Sequence, residues 1–357
     1  MRIVQIIDSL NTGGAEKMAV NFANSLNNKI DFSGIVTTRQ EGNLLDYIQC
    51  KENYFFLNKK KAVDLDAIFR LKKYCKKNRI EFIHAHTTSF FIGFLLKIFY
   101  FKIKIIYHEH TGSRGNESIS KNKLLWFCSL FFEGIIVVNQ DLENWCKANL
   151  FCKKIIYLPN FVSTNEQKNQ NTKLNGIDEK RILYLANLKN PKNHKLLIEI
   201  ASKVKKIHSD WSFHLVGTDF EDDYSNDLKD KIVAKNLQKN VFIYGLKNDI
   251  TNIINQSEIC IITSNAEGLP VSFLEYGFNK KPVISTKVGE IAKIIINKEN
   301  GILVPTNNSD LFSDELLKLI ENKSLRVNMG QKLFESISLK NDDLTVINQY
   351  LNWIKEL

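Results

Sequence analysis

The sequence predicts an α/β protein of two doubly wound, Rossmann-like domains. Three observations carry this. Short apolar runs without polar alternation recur along the chain, as expected of strands buried on both faces of a parallel sheet. Stretches with helical spacing separate them, as the crossovers of such a sheet require. The 357 residues are enough for two domains with sizeable cores. A hydrophobic fraction of 44% and a charged fraction of 25% argue against a disordered chain and a multi-pass membrane protein.

In the first domain, strands are expected at residues 3–7, 34–37, 54–56, 81–84, 103–107, 134–138 and 154–157. Helices are expected at 14–27, 64–78, 88–100 and 122–131. Met1-Arg2 leads straight into the first strand, so no signal peptide is expected and the chain reads as cytoplasmic. That strand ends at Asp8, and SLNTGGAE then opens a helix. Gly13 and Gly14 let backbone approach a ligand closely. The loop is not G-x-G-x-x-G, which disfavours a nicotinamide or flavin cofactor. Asp64 is placed to cap the next helix, and Lys72, Lys73, Lys76, Lys77 and Arg79 load its last turns, where cations suit the helix dipole.

His84-Ala85-His86 ends a strand, and its spacing does not match the i, i+4 pair of a helical zinc site. Both are expected to be structural, and no metal is implied. TSFFIGFLLKIFYF (88–101) is shorter than the roughly 20 residues a membrane span needs. It reads as a buried helix or, with Lys102, Lys104, Lys121, Lys123 and LLWFCSLFF nearby, as an interfacial one. The strand KIKIIY runs into His108-Glu109-His110-Thr111-Gly112. A strand-end imidazole titrates near neutrality and suits hydrogen bonding or proton transfer at hydroxyls. GSRGN, residues 112–116, reads as a mobile loop able to close over substrate.

Residues 1–163 are assigned to the first domain, and the polar, aperiodic 164–178 to a linker. The second domain, 179–335, opens with RILYLA and NLKNPKNH, followed by WSFHLVG and VFIYGL. The most informative stretch is TSNAEGLPVSFLEYGFNKKPVISTKVGE, residues 263–290, after the apolar run SEICII. Pro270 is expected as the first residue of a helix, where its missing N–H costs nothing. A helix start after a parallel strand suits a phosphate. Glu267 before the helix and Glu275 on it suit hydroxyl groups, and a nucleotide-sugar fits such a site, with amides for its diphosphate and carboxylates for its sugar and ribose hydroxyls. Residues 336–357 read as helical, and LTVINQYLNWIKEL is amphipathic.

The six cysteines form no C-x-x-C pair and read as free thiols. The net charge is +10. Residues 1–160 hold 23 of the 49 basic and 14 of the 39 acidic residues, a net of +9, leaving +1 for the rest. A basic half implies an anionic partner, and the aromatic runs make an anionic membrane surface the expected one. Nucleic acid is not expected.

Glu267 and Glu275 with seven residues between them, within EGLPVSFLEYGFNKKPVIST, resemble the E-x7-E signature of retaining glycosyltransferases, in particular glycosyltransferase family 4. GGAE, H-E-H, the Pro159-Asn160 junction, NLKNPKNH and NGILVP follow the family's order along the whole chain. The resemblance implies a GT-B fold, two Rossmann-like domains with a cleft between them and a C-terminal helix, residues 336–357, packing back on the first domain. It implies transfer of a hexose-type sugar from a UDP-linked donor, a substrate rather than a cofactor, to a glycan or polyprenyl-linked acceptor. The expected setting is bacterial cell-surface polysaccharide synthesis, lipopolysaccharide or capsule. Donor contacts are implied for Gly13, Gly14, Asn187, Lys192, Gly217, Gly245, Leu246, Glu267, Gly268, Leu269, Pro270, Val271 and Glu275. Catalytic roles are implied for Glu267, His110 and Lys192, and acceptor-side roles for His108, His110 and Arg114, with His108 and His110 competing for the strand-end position. The chain has Asn187 where the family commonly has Arg, one fixed charge fewer at the diphosphate. The alternatives are a nucleotide-sugar epimerase or hydrolase on the same fold, and a non-catalytic binder of anionic surfaces.

Overall fold

The computed structural model describes residues 1–163 and 171–357. They divide into two compact units, one of residues 1–163 with 341–357 and one of residues 171–340. The first contains a seven-stranded parallel sheet: β1 (Arg2–Ser9), β2 (Phe32–Gln40), β3 (Tyr54–Phe56), β4 (Phe82–His86), β5 (Lys104–Glu109), β6 (Gly134–Val137) and β7 (Ile155–Tyr157), ordered β3-β2-β1-β4-β5-β6-β7. Helices α1 (Gly14–Leu26), α2 (Leu65–Lys77), α3 (Phe90–Phe99), α4 (Lys123–Cys128) and α5 (Gln140–Asn149) connect the strands. The central strands carry the expected unbroken apolar runs, with Ile3, Val4, Ile6, Ile105, Ile106, Ile135 and Ile136 fully buried. Asp64 caps α2 by accepting from Ala67 N at 3.0 Å, and Asn139 caps α5 by accepting from Leu142 N at 2.7 Å.

The second unit holds six parallel strands: β8 (Arg181–Leu185), β9 (Ser212–Val216), β10 (Val241–Ile243), β11 (Ile259–Ile262), β12 (Val283–Thr286) and β13 (Ile302–Val304), ordered β10-β9-β8-β11-β12-β13. Its helices are α6 (His194–Ile207), α7 (Asp223–Ala234), α8 (Ile250–Asn255), α9 (Val271–Phe278), α10 (Ile291–Ile294), α11 (Ser309–Glu321) and α12 (Lys323–Ser338). Of the expected linker, 164–170 lie outside the described residues. Residues 171–178 are tied to the second unit: Asn171 N and Thr172 N donate to Asp249 Oδ2, and Leu174 is buried.

The last helix, α13 (Asp343–Lys355), belongs to the first unit. Asn341 Nδ2 donates to Asn160 O at 2.9 Å, and Tyr350 Oη lies 3.0 Å from His84 Nδ1 inside the core. Gly134 admits the helix, since a Cβ there would lie 2.5 Å from the Trp353 ring.

Both sheets reverse their strand order once, between β1 and β4 and between β8 and β11. Ligands of open α/β sheets bind outside the strand carboxyl ends at such a reversal. Helix α12 backs the second one, because Gly330 lets it approach the turn after α9. A Cβ on Gly330 would sit 2.0 Å from the Lys280 carbonyl oxygen. Gly330→Ala should therefore destabilise the protein by about 1–3 kcal/mol through overpacking, read as a lower urea midpoint. An unchanged midpoint would show that α12 can move away freely.

Candidate active site

At the reversal in the second unit, the loop after β8 brings Lys192 to Glu267 from the loop after β11. Lys192 Nζ lies 2.6 Å from Glu267 Oε1, and the side chains are 23% and 10% exposed. Ser264 Oγ donates to the same oxygen at 2.5 Å. Behind it stands the fully buried Tyr184, whose one proton has two acceptors in reach, Lys192 O at 2.8 Å and Ser264 Oγ at 2.9 Å. Burial raises the Tyr184 phenol far above its ordinary value, so it stays protonated as a donor. Both contacts to Glu267 use Oε1, and neither engages Oε2. Tyr184 and Ser264 do not stand out in the sequence; each is one polar residue at the end of an apolar strand, and only the pairing of β8 with β11 makes them neighbours.

The turn from Glu267 into α9 is pressed against the chain after β12. Gly289 has φ +50°, and a Cβ there would lie 2.2 Å from Glu267 O. Glu290 N donates to Gly268 O at 3.0 Å. This holds Gly268, Leu269, Pro270 and Val271 at the mouth of α9. Pro270 is extended, with ψ 133°, so α9 begins at Val271 and the proline stands one position earlier than expected. Glu275 lies on α9 and is 8% exposed.

Asn187, Gly217 and Gly245 meet at the ends of β8, β9 and β10. Asn187 Oδ1 accepts from Thr218 N at 2.8 Å, and Gly217 N donates to Gly245 O at 3.1 Å. Gly217 must be glycine, since a Cβ would lie 2.2 Å from Ala186 O, whereas a Cβ on Gly245 would meet nothing within 4 Å. Asn187 thus braces the turn that carries Gly217, a role the missing Arg could not fill as an acceptor. Leu246 follows, half-buried.

In the first unit the strand ends build an imidazole stack. His84 Nε2 lies 3.0 Å from His108 Nδ1, and His86 Nδ1 lies 2.9 Å from His110 Nε2. His108 and His110 stack with ring centroids 3.8 Å apart. His86 Nε2 is 2.9 Å from Gln5 Oε1, which only accepts, so His86 carries its proton there. His86 Nδ1 then accepts from His110 Nε2–H, and His110 Nδ1 is left as an acceptor. Of the competing pair, His108 is 1% exposed and lies inside the core, whereas His110 is only half-buried. Among the described residues, His84, His86 and His108 each place a ring nitrogen within 4.8 Å of the others. The hydrogen bonds just described join these rings to one another and to Gln5 and Tyr350.

One expectation is corrected here. Burial holds His110 down at about 3, so it is neutral across the physiological range rather than titrating near neutrality. Residues Gly112–Asn116 form a 3-10 turn. Arg114 Nε lies 2.6 Å from Glu109 Oε2, and Arg114 Nη1 donates to Asn122. Glu109 is fully buried and also accepts from Tyr107 Oη and Thr111 N, so the guanidinium is paired with a buried, fully engaged carboxylate. Gly13 caps α1 with its Cα covered by the Glu16 carboxylate, whereas Gly14 opens to free space.

Burial also holds His84, His86 and His108 well below the ordinary imidazole value of 6.5. Below pH 6.5 the unfolded chain binds protons that these folded rings refuse. Stability should be flat above about pH 7 and fall on acidification, by up to about 2 kcal/mol per neutral ring between pH 6.5 and 5. Urea unfolding at pH 7.5 and pH 5 tests this, and equal midpoints would mean that the stack accepts protons while folded.

Two family models match consecutive parts of the chain. The model described as Glycosyltransferase Family 4 matches residues 12–166, and the one described as Glycosyl transferases group 1 matches residues 165–335. The chain is 25% identical over 344 residues to the amylovoran biosynthesis glycosyltransferase AmsD of Erwinia amylovora, covering 94% of each chain. It is 26% identical over 257 residues to the poly(ribitol-phosphate) alpha-N-acetylglucosaminyltransferase of Staphylococcus aureus, covering 70% of this chain and 49%, about half, of that protein. The structure of Anabaena Alr3699/HepE in complex with UDP and glucose superposes with a TM-score of 0.83, at 17% identity and 100% coverage of both chains. The two parallel sheets and this superposition are those of the GT-B fold, and the chain belongs to glycosyltransferase family 4.

Proposed function

We propose that this glycosyltransferase transfers a hexose-type sugar from a UDP-sugar to a glycan or lipid-linked acceptor in bacterial cell-surface polysaccharide synthesis, with retention at the anomeric carbon and without a metal ion. The observation that carries the reading is the Lys192–Glu267 pair beside the start of α9 and Glu275, a cation and two carboxylates around a helix N-terminus. The amides at Gly268–Val271 and the Lys192 ammonium hold the diphosphate and stabilise the charge it gains on leaving, worth a few kcal/mol by analogy with an oxyanion hole. Lys192 supplies the positive charge a metal would otherwise bring. Glu275 accepts from the ribose hydroxyls. Glu267 accepts from the sugar hydroxyls and stabilises the positive charge growing at the anomeric carbon.

As the bond from the anomeric carbon to the phosphate oxygen breaks, the acceptor oxygen bonds to the same face. The departing phosphate oxygen takes the acceptor's proton. His110 Nδ1, kept unprotonated through His86 and Gln5, accepts a hydrogen bond from a sugar hydroxyl and orients it. The relatives support the donor and the pathway: the HepE complex holds UDP and glucose, and AmsD is a glycosyltransferase of amylovoran biosynthesis.

UDP should raise the melting temperature more than GDP, ADP or CMP, with about 2.7 kcal/mol of stabilisation at 100 times its dissociation constant. Glu275→Ala should abolish the shift. Glu267→Gln should keep it and lower turnover by at least about 100-fold, by analogy with the loss of one transition-state donor. NMR of the product should show the donor's anomeric configuration, with rates unchanged by EDTA. No shift with any nucleoside diphosphate would count against the reading, and sugar released without an acceptor would favour a hydrolase.

The reading includes peripheral docking on an anionic membrane. No described helix is long and apolar enough to cross one. Helix α3 packs against both α2 and α4, and on or next to these helices Phe69, Phe101, Trp126, Phe127 and Leu130 are exposed, Phe101 to 76%. Lys76, Arg79, Lys102 and Lys104 line a groove with Tyr100 at the amino edge of the sheet. Apolar side chains beside lysines are the composition of an interfacial surface. The protein should pellet with phosphatidylglycerol vesicles at low salt but not with phosphatidylcholine, and Phe101→Ser with Leu130→Ser should weaken this. Equal pelleting of the double variant would count against this face.

A further inference from the structure

The first unit holds a buried cation that the transfer described above does not use. Lys59 follows β3 and is only 7% exposed, yet its ammonium makes no hydrogen bond and no ion pair within 4 Å among the described residues. Leaving a buried ammonium unpaired is costly. Its pKa is accordingly lowered, first by burial and then by Arg39, against the opposing pull of Asp8 and Asp64.

Neither carboxylate is available to it. Asp8, at the end of β1, accepts from Thr38 Oγ1, from Thr88 Oγ1 at 2.5 Å and from Ser89 Oγ at 3.4 Å, and lies 4.0 Å from Arg39 Nε. Asp64 accepts from Lys60 N at 2.9 Å and Ala67 N at 3.0 Å in capping α2. Lys59, the half-exposed Arg39 and the exposed Lys60 and Lys61 therefore stand against two carboxylates that already have partners, an excess of positive charge at one place.

The place matters. Lys59 follows β3, Arg39 lies on β2, Asp8 on β1, Thr88 after β4 and His110 after β5, so they stand in a row along the carboxyl edge, in the order of the sheet. Four strand spacings separate the chain at Lys59 from that at His110, roughly 19 Å. That is room for a short glycan with its charged end at Lys59 and its reacting hydroxyl at His110.

We propose that Lys59 and Arg39, with Lys60 and Lys61 at the rim, form an acceptor subsite for a phosphoryl group, so that the acceptor is a glycan carrying a phosphate or diphosphate at its far end. This rests on the glycosyl-transfer reading and names the acceptor's chemical class. The phosphoryl group supplies the counter-charge that Lys59 lacks. It is either the diphosphate of a lipid carrier or the phosphodiester of a polyol phosphate.

The full chain is titrated calorimetrically with inorganic pyrophosphate and with glycerol phosphate, at constant ionic strength and with saturating UDP occupying the donor site. At least one of them should bind. Lys59→Met should weaken that binding at least 10-fold and leave UDP affinity within twofold, whereas Lys192→Met should do the reverse. Arg39→Gln, at a half-exposed position, should weaken anion binding severalfold and keeps the test valid if Lys59→Met does not fold. Tighter binding of pyrophosphate supports a diphosphate carrier, and tighter binding of glycerol phosphate a polyol phosphate. Absence of binding, or binding unchanged in the Lys59 and Arg39 variants, overturns the subsite. Failure of the donor reading would appear separately, as lost UDP heat with the anion heat intact.

Discussion

A parallel sheet ends all its strands at one edge, and the rest of this protein depends on that constraint. Each strand there gives way to a loop and then to the first amides of a helix, so polar side chains and free N–H groups collect where the apolar strands stop. Lys192, Glu267, Asn187, Gly217 and Gly245 follow strands of one sheet, and Asp8, His86, His110 and Lys59 end or follow strands of the other. Because each sheet reverses its strand order once, two such loops diverge and leave space between them. The Lys192–Glu267 contact spans the reversal between β8 and β11, and the loop of Gly13 and Gly14 faces the one between β1 and β4.

What surrounds these residues decides what they do. Glu267 is held at one oxygen by an ammonium and a hydroxyl, with a buried phenol behind them, so the carboxylate is oriented before any ligand arrives. Such preorganisation is what electrostatic catalysis requires. His110 is oriented in the same manner through His86 and Gln5, and the buried stack behind it fixes both its ring plane and its tautomer. The returning helix α13 closes that stack, since Tyr350 meets His84 in the core. The C-terminal segment therefore supports the stack behind His110 from residues far away in the chain.

Much of this was legible in the sequence. The alternation of apolar strands and helices, the capping role of Asp64, and the neighbourhood of Glu267, the start of α9 and Glu275 follow from local pattern and spacing. Other features were not. Tyr184 and Ser264 sit 80 residues apart and become partners only through strand pairing. Arg114 lies in a glycine-containing stretch that reads as mobile, yet its guanidinium is drawn to Glu109, a carboxylate that the sheet buries completely. Lys59 is the first of three consecutive lysines, and nothing in that run marks which one is buried.

The sequence by itself determined the fold class, the order of the strand-end loops and the residue types that each presents, because periodicity and turn chemistry are local properties of the chain. Tertiary structure decided protonation, partnership and exposure. Burial made the histidines neutral, paired Arg114 with Glu109 and left Lys59 without a counter-ion. These depend on desolvation and on contacts between residues distant in sequence, and neither is set until the sheet has formed.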